Sequence, residues 1–289
     1  IDGVDGGAKQ PGLAVVSSRH PTPIDESRPA DRASAVQVAS NDPGSSTAAM
    51  PVLRPRKTLH VRSGTSEPWL RGIAVTPFGE LAIAEYCAQQ ILFVDALDGV
   101  VHRSVRVDYL SVLVSDGLRL IANSPYGVAY VYGLPGLDFV HRVEVTPDKP
   151  WTANGAALDI FGQAHFISSA NATIWTYGDF QSAPRPWPTP FGHDAYLIAA
   201  DVHAPLLYVA MRFANGTSCV AACAIVEPSQ TQTLDVLAVT ALPSSVSDIC
   251  PSPQGGAYVV LENSTLAEFH DPASRPSGSW LPRRAVRLT

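Results

Sequence analysis

The residue types best suited to chemistry sit in one short stretch, FGHDAYLIAADVHAP, which holds His193, Asp194, Asp201 and His203. Carboxylates beside imidazoles can move protons near neutral pH or hold a metal ion. The same residues also suit a tight turn between strands, with polar side chains capping backbone amides, and that plainer role is the expected one. Other catalytic templates are missing from the sequence: there is no Gly-x-Ser-x-Gly elbow, no His-Glu-x-x-His pair and no phosphate-cradling Gly-x-x-x-x-Gly-Lys. His102 and His141 recur at matching places in two Val-His-Arg segments, which points to a structural role.

Cys87, Cys219, Cys223 and Cys250 form an even set compatible with two disulfides. Three pairings are open, one of which closes Cys219 on Cys223 and leaves Cys87 with Cys250. Zinc is a poor match, because C-x3-C has no second Cys/His pair at finger spacing. Three sequons, at Asn171, Asn215 and Asn263, fall where exposed turns are expected, so a glycan would be tolerated there. Sequons and cysteines together suggest a disulfide-bonded glycoprotein that is secreted or displayed at the cell surface. The alternative is four free thiols in a cytosolic protein. Residues 1–10, IDGVDGGAKQ, have neither an initiator Met nor a signal-peptide core, so the chain reads as a processed part of something longer.

These residues need a scaffold, and composition narrows which one. Of the 289 residues, 46% are hydrophobic and only 16% charged, enough for a sizeable core and too apolar for wholesale disorder. The 25 prolines and many short apolar runs broken by Gly, Asp and Ser favour strands and turns over long helices. A net charge of -6 offers no electrostatic footprint for nucleic acid. No apolar run approaches the roughly 18 residues needed to span a bilayer, so membrane insertion by this segment is not expected.

Residues 1–55 are rich in Ser, Pro, Ala, Asp and Arg and read as an extended arm or linker, with only GLAVV and SAVQVAS resembling strands. From residue 56 to 289 strands dominate and a unit repeats. Each copy has an apolar strand, a turn, a second apolar strand, a polar loop and a third strand. The turn landmarks Gly79, Gly117, Gly162, Pro205 and Gly255 are 38, 45, 43 and 50 residues apart. That spacing suits the four-stranded blades of a propeller. VVHRSVRVD, FVHRVEVTP and RRAVRLT alternate apolar and polar residues as half-solvated outer strands should. KTLHVRS, residues 57–63, reads as a further outer strand that either closes the ring on the last blade or belongs to a partial sixth blade built with the arm. The expected fold is therefore all-β: a propeller of five or six four-stranded blades with an extended N-terminal arm.

The first copy, Trp69-Leu70-Arg71-Gly72-Ile73-Ala74-Val75, then Gly79, Leu81-Ala82-Ile83-Ala84-Glu85 and Gln90-Ile91-Leu92-Phe93-Val94-Asp95, resembles an NHL repeat. Glu85 and Gln90 replace that motif's usual Asp and Arg. Asn154-Gly155-Ala156-Ala157 and Ile174-Trp175-Thr176-Tyr177 carry a fainter likeness in the third copy. In this reading Gly72 and Gly79 shape an inner hairpin, and Phe93 packs toward the next blade. A Cys87–Cys250 bond would tie the first unit to the last.

Two function classes follow. Surface adhesion glycoproteins carry NHL-type propellers, and the resemblance implies a non-catalytic protein-interaction module with an extracellular or membrane-anchored protein partner and no cofactor. Trp69, Trp151, Trp175 and Trp187 are the candidate anchors. The loop 180–192, with Phe180, Arg185, Trp187 and Phe191, is the expected exposed patch; its alternative is a Pro-stiffened connection whose aromatics pack inward. The chain also resembles, more weakly, calcium-dependent lactonase and gluconolactonase propellers. There Glu67, Asn154 and Asp248 match the positions that hold Ca2+ at the axis, although Ile249 stands where that family has Gly.

Overall fold

The computed structural model describes residues 52–53, 61, 69–145, 153–168, 173–178, 180–188, 194–213, 215–225, 234–272 and 280–288. All of them belong to the compact unit Ala35–Thr289. The KTLHVRS strand therefore lies outside the described residues except for Val61.

Each repeat becomes one four-stranded antiparallel sheet in simple sequential order. The first blade comprises β2 (Leu70–Val75), β3 (Glu80–Glu85), β4 (Gln90–Asp95) and β5 (Val101–Arg106). The second has β6 (Val112–Ser115), β7 (Arg119–Ser124), β8 (Val128–Gly133) and β9 (Asp138–Glu144). The third has β10 (Ala153–Leu158), β11 (Ala164–Ser168), β12 (Thr173–Tyr177) and β13 (Arg185–Pro188). The fourth has β14 (Asp194–Ala200), β15 (Leu206–Arg212), β16 (Ser218–Ala224) and β17 (Asp235–Ala241). The fifth has β18 (Val246–Pro251), β19 (Ala257–Leu261), β20 (Thr265–Phe269) and β21 (Arg284–Leu288). A two-residue strand upstream of them all, β1 (Val52–Leu53), pairs in parallel with β21, so chain from the expected arm extends the last blade. The described residues form a β-propeller with five blades.

The hairpin between the first two strands of a blade forms because its opening residue caps the turn. The Asp116 carboxylate accepts from the amides of Leu118 and Arg119 at 2.9 and 2.7 Å. Asp159 accepts from Phe161 and Gln163 at 2.9 and 2.8 Å, and Asp201 from His203 at 2.7 Å. These are Asx turns, in which a side chain replaces a backbone acceptor. Gly79, at φ 79°, supplies the left-handed residue that such a turn needs and that a Cβ would disfavour.

Alternate residues of each strand face opposite neighbours, as a pleated strand requires. On β4, Ile91 and Phe93 join the second blade's Leu113, Leu120 and Tyr132 in one core, as expected for Phe93. Leu92 and Val94 point the other way. Equivalent cores fill the second, third and fourth junctions. Glycine marks where inner strands come closest. A Cβ on Gly72 would lie 2.8 Å from the Leu113 amide nitrogen, and one on Gly155 would lie 3.1 Å from that of Ile198. At both junctions only hydrogen fits without displacing backbone.

The loop 180–192 differs from expectation. Residues 185–188 form the outer strand of the third blade, and Trp187, paired with Ile174, is buried in the core shared with the fourth blade. An outer edge strand tolerates Pro186 and Pro188 because its outward amides need no partner. Phe180 is half-buried, stacked on Tyr177 at 5.8 Å; Arg185 is exposed, and Phe191 lies outside the described residues.

All four cysteines are free thiols. Cys219 and Cys223 both lie on β16, four residues apart on one extended strand, which separates them by about 13 Å and forbids a bond between them. Cys87 and Cys250 are exposed and unbridged, so no disulfide ties the first blade to the last.

Candidate functional site

The segment around Asp201 and His203 builds a junction between the fourth and fifth blades. Asp201 is buried; its second carboxylate oxygen accepts from the Tyr208 hydroxyl at 2.9 Å and, across the blade boundary, from the Gly256 amide at 2.5 Å. Burial first, and then the Asp201 carboxylate beside it, push the Tyr208 phenol far above its ordinary range. His203 bonds the Pro253 carbonyl at 2.9 Å, a second link to the fifth blade. Asp194 lies on β14, and His193 is outside the described residues. The turn reading therefore holds.

A nucleophile-like relay appears where the sequence did not suggest one. His165 on β11 contacts Asp159 through Nε2 at 2.9 Å and the Thr176 hydroxyl through Nδ1 at 2.8 Å. An Nε2–H donating to Asp159 and an Nδ1 accepting from the Thr176 hydroxyl would satisfy both neighbours. Hydroxyl, imidazole and carboxylate stand in the order of a catalytic triad, but all three residues are buried and no substrate can reach the hydroxyl. The arrangement locks three strand elements of one blade together.

The proposed calcium ligands are not assembled by the described residues. Glu67 lies outside them, as does the Asn154 side chain. Asp248, on β18, is exposed at residue level and accepts from the Ile249 amide at 2.8 Å. Partial desolvation of the carboxyl raises its pKa above the ordinary value. Among the described residues no group of three or more His, Cys, Asp or Glu side chains is placed to hold a metal, and no helix is long and apolar enough to cross a membrane.

What the structure does assemble is a row of aromatic rings on the first two blades. Strand 1 begins, strand 2 ends and strand 4 ends on the same rim of a blade, so Trp69, Tyr86, Tyr109 and Tyr126 converge there. Trp69 and Tyr86 are tied by a backbone bond that extends the β2–β3 ladder, and their rings meet edge to face at 5.3 Å. The Arg71 guanidinium lies over both, at 4.3 and 4.7 Å. Tyr109 meets Tyr126 edge to face at 4.5 Å. The Tyr126 phenol is raised in pKa, first by burial and then by the Tyr86 phenol, to which it is hydrogen-bonded. Trp69 and Tyr109 are both exposed. Tyr109 also sits at φ 55°, a left-handed conformation that costs a non-glycine residue roughly 1–2 kcal/mol. Trp, Tyr and a stacked Arg are the side chains that dominate binding energy at protein interfaces. The sequence reading singled out Trp69 and passed over Arg71, Tyr109 and Tyr126, because nothing in the spacing 69, 71, 86, 109, 126 shows that four chain segments share a rim.

Among the sequon residues, Asn215 and Asn263 lie in exposed turns, each accepting from the amide two residues on, at 2.9 and 3.2 Å. Asn171 is outside the described residues.

No protein-family model matches the chain, and no curated protein matches it. Among solved structures, Kuenenia stuttgartiensis hydrazine synthase is similar with a TM-score of 0.55 at 16% identity, over 78% of this chain and 62% of that one. This chain thus spans less than two thirds of that protein's length. The β-propeller domain of Myceliophteria thermophila Cps50 (Swd1) aligns with a TM-score of 0.43 at 15% identity, over 52% of each chain. At such identities the likeness concerns the fold alone.

Proposed function

We propose that the chain is a non-catalytic protein-interaction module on an NHL-like propeller, placed on the extracellular or lumenal side, that engages a secreted or membrane-anchored protein through the rim of its first two blades. The observation that carries this reading is the Trp69–Arg71–Tyr86–Tyr126–Tyr109 row. It offers rigid aromatic area with a guanidinium already immobilised, which reduces the ordering cost of binding. Two sequons in exposed turns support the compartment, since glycans on Asn215 and Asn263 would not disturb the blades.

The test is capture from the native source with the wild-type domain, a Trp69→Ala/Tyr109→Ala variant, and an Arg185→Ala control on the third blade's outer strand. A partner retained by the wild type and the control but weakened at least tenfold by the rim variant supports the reading. A partner held equally by all three contradicts the proposed surface. Unmodified Asn215 and Asn263 in protein from its native source would count against the compartment.

A further inference from the structure

The fourth blade carries a cleft of about 450 Å3 between the turn that joins β15 to β16 and the link from β17 to β18. Thr217, Ser218, Ser244 and Ser245 line it with hydroxyls, and Leu242 and Pro243 add apolar surface. Small side chains in the link leave this space open. The Leu242 amide donates to the Ser218 carbonyl at 2.8 Å, as the Val107 amide does to that of Gln89 in the first blade. Past that point the first blade continues with Asp108 and Tyr109, the fourth with Pro243 and Ser244.

Two independent features mark the cleft as a site. Ser218 is only 3% exposed and its hydroxyl has no hydrogen-bond partner among the described residues, which destabilises a fold until something bonds the group. Asn215, of the sequon Asn215-Gly216-Thr217, lines the same cleft. Its Oδ1 accepts from the Thr217 amide at 2.9 Å, which leaves Nδ2, the atom that takes a glycan, without a partner among the described residues.

Resting on the extracellular or lumenal placement proposed above, we infer that the first sugar of a glycan on Asn215, an N-acetylhexosamine, folds back into this cleft and bonds the Ser218 hydroxyl. Attachment forms a bond from Nδ2 to C1 of the sugar and breaks the C1–O bond to a lipid diphosphate donor. The lipid diphosphate leaves, and Nδ2 gives one proton to a base of the transferring enzyme. Oδ1 takes no part, so the turn survives. None of the lining side chains is charged, which suits a neutral ligand whose ring hydroxyls both donate to and accept from serine and threonine. Leu242 and Pro243 offer apolar surface to the N-acetyl methyl. The covalent tether holds the sugar at a high effective concentration, so weak individual contacts suffice.

Thermal melting of the full chain, with and without Ser218→Ala, in a host that attaches N-glycans and in one that does not, tests this. Glycopeptide mass spectrometry reads Asn215 and Asn263 in those preparations and in protein from the native source. In the bare chain Ser218→Ala should raise Tm or leave it unchanged, since it removes an unpaired buried hydroxyl. In the glycosylated chain it should lower Tm by about 2–4 °C, because the sugar loses its partner. A purely structural role for Ser218 gives the same shift in both forms, and that result would overturn the inference. A glycan on Asn263 beside a bare Asn215 would also overturn it, and either result leaves the compartment standing. Bare Asn215 and Asn263 together in native protein would remove the compartment and the seated sugar at once.

Discussion

The first and fourth blades carry nearly the same inner strand, β2 reading Leu-Arg-Gly-Ile-Ala-Val and β14 Asp-Ala-Tyr-Leu-Ile-Ala-Ala, yet only β14 is enclosed on both faces. Strand propensity does not explain this, since both strands form. The difference lies in neighbours: among the described residues β14 packs against a blade on each side, while β2 packs against one on the side of Gly72 and Ala74. In a stacked repeat, burial is contributed by the adjoining unit. An apolar residue in this fold therefore stabilises the molecule only as far as the next unit covers it.

The widest separation between the two blades should appear in thiol labelling. Burial pushes the thiols of Cys219 and Cys223, inside the fourth blade, up to about 12. At pH 8 they should stay unlabelled until the protein unfolds, while exposed Cys87 of the first blade reacts at once, a gap of orders of magnitude set by the opening equilibrium. Cys250 should react more slowly than Cys87, because desolvation and the nearby Asp248 carboxylate raise its thiol. Fast reaction at Cys219 would show that the fourth blade is not closed.

Asp201→Ala should cost about 3–4 kcal/mol in urea unfolding, because it strands the buried Tyr208 hydroxyl and the Gly256 amide together. Gly72→Ala should cost about 2–3 kcal/mol, since the new methyl meets the Leu113 backbone at the one covered face of β2. A neutral result there would mean that the first junction is looser than described. The smallest effect belongs to Asp248 on β18. Its raised pKa means the ionised form is less favourable folded than unfolded, so stability is lost as pH rises through the ordinary carboxylate range. Asp248→Asn should therefore stabilise by under about 1 kcal/mol at pH 7, and the gain should vanish at acidic pH. A gain that persists at acidic pH would rule out ionisation as its cause.

The fold was legible because turn chemistry and strand alternation repeat locally. Gly79, Gly117 and Gly162 mark the hairpins, and Val101–Arg106 and Asp138–Glu144 form the outer strands their alternation implied. The outer strand Arg185–Pro188 was hidden, since two prolines in four residues mimic a loop and only an edge position makes them tolerable. The rim was hidden for a different reason. Tyr109 and Tyr126 gain meaning from tertiary proximity to Trp69, which no local pattern encodes. The cysteines misled because an even count is silent about geometry: Cys219 and Cys223 look adjacent in sequence, and the extended strand holds them apart.

Burial in these blades is supplied by the neighbouring unit, and Ile198→Ala against Ile73→Ala in equilibrium unfolding tests this most directly. Ile198→Ala should lose about 3 kcal/mol, as a buried isoleucine truncated within a closed junction does. Ile73→Ala should lose about 1 kcal/mol or less, because the Ile73 side chain is largely exposed and little apolar area is lost on truncation. Equal, large losses at both positions would contradict the account and require a full neighbour on the open face of the first blade.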